Sequence, residues 1–355
     1  MATIYEVSRL AGVSLATVSR VINNSGKVAA ATRQRVEQAM LQLGYRPNSI
    51  AQSLASNRSN CVGVLVSELH GPIFGAMLGT IEQELRHAGK FAIFSVGHNE
   101  AEKEKEGIEF LASRNCDALI LHVEALPTSF FLENATRMLP FVLINRNDEP
   151  LREHCIRLDN ELGGYLATRS LLEMGHRRIG YISGPLGWGD ADARLSGHRR
   201  ALAEYGVAFE ERLFVHGNYQ KLGGQQGTLR LLEADPGLTA VVCANDEMAA
   251  AAMEVIRQTG RSVPDDISVV GFDNVRWTSY LNPQLTTIDY PADKLGRMAA
   301  RWVLRNVYGD TGVDVQQDFE PRLIQRASSG PPRIKAAAVG AIREAEDATT
   351  QAESA

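Results

Sequence analysis

Short apolar runs rich in valine, isoleucine and leucine recur along most of this chain and alternate with stretches of helical spacing. The runs are CVGVLVS, FAIFSV, DALILHV, FVLIN, RIGYISG, AVVCAND and ISVVGFD, and the helical stretches include GAMLGTIEQELRHAG and AEKEKEGIEFLASR. Strands buried on both faces have this composition, and helices connect parallel neighbours. The pattern predicts an α/β body with two doubly wound parallel-sheet subdomains and a cleft between them. A chain of 355 residues is long enough for two or three buried cores.

The first 60 residues carry a charge opposite to that of the rest of the chain. Seven basic side chains stand there against two acidic ones, Glu6 and Glu37, whereas the whole chain has a formal net charge of -5. The front segment is therefore basic and the remainder acidic. This split favours a polyanionic partner for the front segment alone, although a solvated basic face is the simpler alternative.

Apolar residues recur with helical spacing three times in this basic segment. The three stripes are Ile4, Val7, Leu10 and Ala11, then Val18, Val21 and Ile22, then Val36, Ala39, Met40 and Leu43. Gly12 suits a tight turn, Ser14 can cap the second helix, and the third helix is expected to run from near Thr32 to Gly44. Two short helices joined by a glycine turn are typical of a helix-turn-helix DNA-binding headpiece, here residues 1–46.

The second of these helices carries the side chains that close approach to a DNA major groove requires. Leu15 and Ala16 are compact, and Arg20 offers a guanidinium for a guanine edge. Thr17, Ser19 and Asn23 are suited to phosphate oxygens, which position a protein without reading the base sequence. The alternative is an exposed helix of an unrelated three-helix bundle.

Residues 47–60 form a segment that is too short to be a stable helix in isolation. Pro47 stops the preceding helix, and Asn48 can cap about two turns that contain Ala51 and Leu54. Such a segment is expected to fold on a partner. An ordinary flexible interdomain linker is the alternative.

The motifs AGVS, ATVSRVIN, GYRPN, GHRRIGYISG, ANDEMA, SVVGFDN and LTTIDYP occur in one order from residue 2 to about residue 328. In this order they resemble the LacI/GalR family of transcriptional repressors, and GPIFGAM, CDALILH, VLINR and CIRLDN are similar to its galactose-operon repressors. The resemblance implies a homodimer on a palindromic operator and a hinge helix whose leucine enters the minor groove. Leu54 holds that leucine position, and Asn48 and Ala51 are the other expected DNA contacts of the hinge.

The resemblance also implies a periplasmic-binding-protein-like body over residues 61–328, in which the chain crosses between subdomains three times. The N-subdomain is expected over about 61–158 and 288–320, and the C-subdomain over about 159–287 and 321–328. Residues 329–355 are predicted to be a disordered tail, since the helical part, IKAAAVGAIREAEDA, lacks the leucine heptad of tetrameric lactose-type repressors.

Polar side chains follow several of the predicted strands. They are Ser67 to His70, Asn145 with Arg146, Asn245 with Asp246, and Asp273. Open parallel sheets bind ligands beyond the carboxyl ends of their strands, so these side chains are expected to converge on one site. Each one alone is explained as well by capping the following helix.

The chemistry of these residues fits a sugar, because Arg, Asn and Asp supply paired donors or acceptors for neighbouring hydroxyls. An aromatic side chain can cover the sugar ring, and Phe74, Trp188, Tyr219 and Tyr290 are candidates. The family resemblance gives the principal effector positions to Arg194, Asn245 and Asp273. It gives less uniform ones to His70, Phe74, Asn145, Tyr219 and Tyr290. D-galactose or a galactoside is the expected effector, with a β-glucoside or a purine as alternatives, since segments 186–190 and 217–222 lie where specificity can change.

Other function classes are less well supported. The sequence has no G-x-S-x-G, H-E-x-x-H or Walker motif, so an enzyme, a catalytic residue or a cofactor is not expected. The four cysteines are far apart, which favours reduced thiols over a metal site. A periplasmic sugar-binding protein explains the body, but the absence of a signal peptide and the basic headpiece favour a cytoplasmic regulator.

Overall fold

The computed structural model describes residues 2–23, 26–46 and 58–333. They form a three-helix headpiece and two α/β subdomains, each with a six-stranded sheet. The headpiece helices are α1 (Ile4–Ala11), α2 (Leu15–Ile22) and α3 (Ala30–Leu43). The predicted hinge contacts Asn48, Ala51 and Leu54 lie outside the described residues. Within the described part of the chain, no helix has both the length and the apolar character needed to cross a membrane.

Local sequence signals set the ends of the headpiece helices. Thr3 and Glu6 form a reciprocal capping box at the start of α1, which ends at Gly12 in the left-handed conformation. The side chain of Ser14 caps α2 by accepting the N–H of Thr17. The apolar stripes pack together in a small core of Val7, Ala11, Val18, Val21, Val36 and Ala39. The prediction that Leu10 packs with this stripe is wrong. Leu10 lies on the flank of the Val7–Ala11 stripe and is half exposed.

The first subdomain begins with alternating strands and helices. They are β1 (Cys61–Val66), α4 (Pro72–His87), β2 (Phe91–Val96), α5 (Ala101–Ser113), β3 (Ala118–Leu121), α6 (Thr128–Asn134), β4 (Phe141–Ile144) and β5 (Cys155–Leu158). Later in the chain, α11 (Ala292–Asn306) and β11 (Asp318–Phe319) return to this subdomain. The strand order is β11-β5-β4-β3-β1-β2, and every pairing is parallel.

The second subdomain repeats the same plan. Its elements are α7 (Asn160–Glu173), β6 (Ile179–Ile182), α8 (Gly189–Glu204), β7 (Phe214–Val215), α9 (Lys221–Ala234), β8 (Ala240–Cys243), α10 (Asp246–Gln258), β9 (Ser268–Asp273), β10 (Thr286–Asp289) and β12 (Arg322–Ile324). The strand order is β12-β10-β9-β8-β6-β7, with β12 antiparallel to β10 and the other strands parallel.

The sheet membership places the three crossings of the chain between subdomains. They follow Leu158, Asp289 and Phe319. The expected boundary near residue 288 falls inside β10, which pairs with β9 up to Asp289, so the chain leaves the second sheet just after that residue.

The predicted tail begins later in the structure than residue 329. Ser329 is buried and its hydroxyl bonds with that of Thr286 at 2.9 Å, while the carbonyl oxygen of Gly330 accepts from Ser268 at 3.0 Å. Residues 329 and 330 are thus part of the second subdomain rather than of a disordered tail. The tail from residue 334 onward lies outside the described residues.

Candidate effector-binding site

A cleft of about 770 Å³ opens between the carboxyl ends of the two sheets. The first subdomain contributes residues that follow β1, β2, β3 and β4, and the second contributes residues that follow β6, β7, β8, β9 and β10. All eight effector residues expected from the sequence line it: His70, Phe74, Asn145, Arg194, Tyr219, Asn245, Asp273 and Tyr290. This is the position at which open parallel sheets bind ligands.

Arg194, on the second turn of α8, is the buried cation of the cleft. Its Nε donates to Oδ1 of Asn160 at 3.0 Å, and its Nη1 donates to the carbonyl oxygen of Ala244 at 2.6 Å. The guanidinium stacks on the ring of Phe272, 3.7 Å from the centroid. Its remaining nitrogen, Nη2, lies 3.4 Å from a carboxylate oxygen of Asp190 and faces the cleft. The side chain is therefore held in one orientation before any ligand arrives.

Two glycines allow α8, which carries Arg194, to pack closely against α7. A methyl group on Gly164 of α7 would lie 2.0 Å from the carbonyl oxygen of Arg194, and one on Gly197 would lie 2.0 Å from the carbonyl oxygen of Glu161. The backbones of α7 and α8 are thus in direct contact, which no residue with a Cβ would permit without a shift of one helix.

Asp273 ends β9 with a φ of 124° and points its carboxylate toward Arg194, with 3.9 Å between Oδ1 and Nη1. Burial, with a smaller contribution from Asp190, raises the pKa of Asp273 to about 7, although the charge of Arg194 opposes the shift. The neighbouring carboxylate of Asp246 is occupied by the protein, since it accepts from Thr287 Oγ1 at 2.5 Å and from the N–H of Val275 at 2.9 Å. Asp273 is therefore the freer acceptor for a ligand.

Asn145 and Asn245 line the cleft and also make hydrogen bonds within the protein. Asn245 caps α10 by accepting the N–H of Met248 at 3.0 Å, and it donates to the carbonyl oxygen of Tyr219 at 2.8 Å. Asn145 accepts a hydrogen bond of 2.8 Å from Asn160. The capping alternative for Asn245 is thus confirmed, and its role toward a ligand remains a prediction.

The aromatic residues occupy different depths of the cleft. Phe74 packs edge-on against His122, and Trp188 lies 6.0 Å from Tyr219 between ring centroids. The hydroxyls of Tyr219 and Tyr290 are buried and have no hydrogen-bond partner among the described residues. His70 stands at the exposed mouth, where it contacts Glu68 at 3.0 Å.

The sequence did not single out His122 or Glu124 of the cleft wall, it gave Asp190 only as part of the segment 186–190, and one named strand-end residue does not belong to the cleft. His122, Glu124 and Asp190 line the cleft. His122 and Glu124 directly follow β3, so the strand-end rule, applied to DALILHV, would have found them. Arg146 instead turns away from the cleft, because its guanidinium pairs with Asp148 at 2.8 Å and donates to the carbonyl oxygen of Leu126.

The expected DNA contacts of the headpiece lie on the outer face of α2. Leu15, Ala16, Arg20 and Asn23 are exposed, whereas Thr17 and Ser19 are partly buried. Thr17 bonds with the capping hydroxyl of Ser14 at 2.9 Å. The face opposite to this one carries Val18 and Val21 into the headpiece core.

Comparisons with known proteins agree with both parts of the molecule. The sequence profile described as "Bacterial regulatory proteins, lacI family" matches residues 3–48, and the "Periplasmic binding protein-like domain" profile matches residues 168–329. The HTH-type transcriptional regulator GalR of Escherichia coli (strain K12) is 41% identical over 336 residues, which cover 95% of this chain and 98% of that relative.

Two solved structures extend the similarity to three dimensions. The lac repressor dimer bound to operator and the anti-inducer ONPF matches with a TM-score of 0.82 at 30% identity, covering 93% of this chain and 99% of that one. The complex of the transcriptional regulator CelR with cellobiose matches with a TM-score of 0.68 at 31% identity, covering 93% of this chain and 100% of that one. Similarity of this extent shows that the chain belongs to the LacI family of bacterial regulatory proteins.

Proposed function

We propose that this protein is a homodimeric transcriptional repressor that binds a palindromic operator and releases it when a sugar occupies the cleft. Two identical headpieces on a two-fold axis match a site of the same symmetry. The exposed face of α2, with Arg20 and Asn23, supports the DNA-binding half of the proposal.

One observation carries the effector half. The cleft contains buried polar atoms without a partner in the described structure, among them the hydroxyls of Tyr219 and Tyr290. Buried polar atoms are costly unless they are hydrogen-bonded. A polyhydroxy ligand beside Arg194 and Asp273 supplies both donors and acceptors to such atoms.

The way in which both subdomains line the cleft supports the coupling between effector and operator. A ligand that contacts both subdomains favours one relation between them. The segment that leads from the headpiece is held by the first subdomain at its end, where Ser59 and Asn60 donate backbone N–H bonds to Asp117 at 2.9 and 2.8 Å. The sugar must bind one state more tightly than the other, because equal affinity shifts no equilibrium.

D-galactose or a galactoside is the proposed effector. Its basis is the 41% identity to GalR together with the Arg, Asn and Asp side chains of the cleft. A β-glucoside is the second candidate, because the CelR relative was solved with cellobiose and a cleft of about 770 Å³ has room for two sugar rings.

The test is isothermal titration calorimetry of the full-length protein with D-galactose, D-glucose, cellobiose, lactose and hypoxanthine. The proposal predicts saturable binding of at least one sugar and no binding of the purine. Binding of hypoxanthine alone, or of nothing in the panel, would contradict a sugar effector.

A further inference from the structure

Two carboxylates face the cleft from opposite subdomains and have no assigned role. Glu124 follows β3 in the first subdomain, and Asp190 is the second residue of α8 in the second. One oxygen of each, Oε1 of Glu124 and Oδ1 of Asp190, is buried and accepts no hydrogen bond within the described part of the chain. Such oxygens can accept hydrogen bonds from a ligand that carries donor groups.

The protein holds both carboxylates in place. The buried carboxylate of Glu104 accepts the backbone N–H groups of Glu124, Ala125 and Leu126 at 3.0, 3.2 and 2.9 Å, which fixes the loop that carries Glu124. The other oxygen of Asp190 lies 3.4 Å from Nη2 of Arg194. The backbone that carries Glu124 and the carboxylate of Asp190 are therefore both held by contacts within the protein.

The charge of the cleft is dominated by acidic groups. Its described lining includes Glu68, Glu124, Asp190, Asp246, Glu247 and Asp273 as acidic residues, against the cations Arg194 and Lys221. Lys221 is paired outside the cleft with Glu254 at 3.0 Å. An anionic ligand would meet this excess of negative charge at short range, with little water to screen it.

The surrounding charges change the pKa of Glu124. Burial and the neighbouring Asp190 raise its pKa well above the usual value, and Glu104 adds to the effect. Arg146 and the backbone N–H of Gly189, at the start of α8, act in the opposite direction. Hydroxyl donors between the two carboxylates would reduce their repulsion, whereas a further anion would add to it.

We propose that Glu124 and Asp190, one from each subdomain, are specificity-determining residues that accept hydroxyl hydrogens of the effector, so that the cleft takes an uncharged polyhydroxy ligand and rejects phosphorylated or carboxylated ones. The inference rests on the proposed function, because it assumes that the effector is a sugar bound in this cleft. It adds a chemical class and two residues to that proposal.

The experiment is calorimetric titration of the full-length protein at pH 7.5 with D-galactose, D-glucose and cellobiose, and with D-galactose 6-phosphate, D-glucose 6-phosphate and D-galacturonate. The wild-type protein is expected to bind a neutral sugar at least ~100-fold more tightly than its charged derivative. Asp190→Asn should weaken the neutral sugar by about tenfold or more and reduce the discrimination by a similar factor, since a charge-assisted hydrogen bond is lost. Glu124→Ala should weaken the neutral sugar to a similar extent, since a buried acceptor is removed.

Glu102→Gln is the matched control, because it removes the same charge from an exposed position of the first subdomain outside the cleft, where Glu102 contacts Lys105 at 2.6 Å. The affinity of this variant for the neutral sugar, and its discrimination against the charged derivatives, should stay within about twofold of wild type, because exposed charges are screened. Equal wild-type binding of neutral and phosphorylated sugars would overturn the inference and leave the proposed function standing. Equal relaxation of the discrimination in Glu102→Gln would overturn the role of this pair. Absence of binding by every neutral sugar would overturn both proposals.

Discussion

Asn160 links Arg194 of one subdomain to Asn145 of the other. Its Oδ1 accepts from Arg194 Nε at 3.0 Å, and its Nδ2 donates to Asn145 Oδ1 at 2.8 Å. All three side chains are buried, and Asn160 directly follows the first crossing between the sheets. The cation proposed to grip the effector is therefore hydrogen-bonded, through one side chain, to the subdomain that adjoins the DNA-binding segments.

Arg194→Ala should give a protein that binds operator and no longer responds to sugar. The substitution removes the guanidinium that faces the cleft, and Arg194→Lys should lose at least ~100-fold in sugar affinity because an ammonium lacks the paired donors. The measurement is operator binding with and without sugar. Arg200→Ala, on the exposed face of the same helix, is the control and should behave as wild type; retained release by Arg194→Ala would exclude Arg194 from the site.

Sugar affinity should fall as the pH decreases from 8 to 6. The pKa of Asp273 is raised to about 7 by burial, so its carboxylate becomes protonated in this range and loses an acceptor for sugar hydroxyls. The expected decrease is about tenfold at pH 6. Calorimetry at three pH values measures it, with Asp273→Asn as the comparison: a pH slope that survives in this variant would assign the titration to another group.

The buried His198 should make the second subdomain less stable in acid. Burial, together with the charge of Arg199, lowers the pKa of His198 to about 3. The unfolded chain takes up a proton below pH 6.5 that the folded protein excludes, so this contribution is fully present above pH 6.5 and is lost as the pH falls toward 3. Between pH 7.5 and pH 5 it amounts to about 2 kcal/mol of unfolding free energy.

Urea unfolding of the wild-type protein and of His198→Gln at these two pH values tests this contribution. Glutamine can still donate to the hydroxyl of Thr168, which bonds with His198 Nδ1 at 2.8 Å. The loss of stability between pH 7.5 and pH 5 should be about 2 kcal/mol smaller in the variant. An identical loss in both proteins would show that His198 does not carry the effect.

Arg20→Ala should lower specific operator affinity by about 10- to 100-fold, because a guanidinium contact with a guanine edge contributes about 1–3 kcal/mol of discrimination. Competition between operator and unrelated DNA at one stated salt concentration measures the change. Arg35→Ala removes the same charge from an exposed position of α3 and should leave the ratio of specific to non-specific binding intact. If both substitutions alter that ratio equally, Arg20 does not read sequence.

Leu54→Ala should weaken operator binding while sugar binding persists. The expectation comes from the family resemblance, in which the hinge leucine enters the minor groove and kinks the duplex. Anisotropy on operator DNA and calorimetry with sugar separate the two activities. Unchanged operator affinity would remove the wedge role from Leu54.

The buried apolar strands were predictable from sequence, and the short polar strands were not. β1 to β4, β6, β8 and β9 correspond to the seven apolar runs. β10 contains Thr286 and Thr287, which are buried because Ser328 and Asp246 satisfy their polar groups. The local sequence does not indicate such long-range hydrogen bonds. The edge strands β7 and β11 have only two residues each, which is too short for a detectable periodicity.

The residues around the cleft were predictable to a similar degree. The rule that ligands bind beyond strand ends gave four of the eight effector residues, because parallel strands end at the same edge. These four are His70, Asn145, Asn245 and Asp273, and the family resemblance added Phe74, Arg194, Tyr219 and Tyr290; all eight line one cleft. The rule failed at Arg146, whose side chain turns to Asp148, since sequence does not give side-chain direction in a loop. Within the segment 186–190 it did not single out Asp190, because the buried carboxylate oxygen of this residue is apparent only in the folded chain.

The most direct test of the central claim is fluorescence anisotropy of the full-length protein on a labelled galactose-type palindromic operator, at a stated salt concentration, during titration with the sugars that bind in calorimetry. We predict tight operator binding that one neutral sugar reverses in wild type and cannot reverse in Arg194→Ala. Operator binding that no bound sugar alters would contradict the proposed coupling between the cleft and the headpiece.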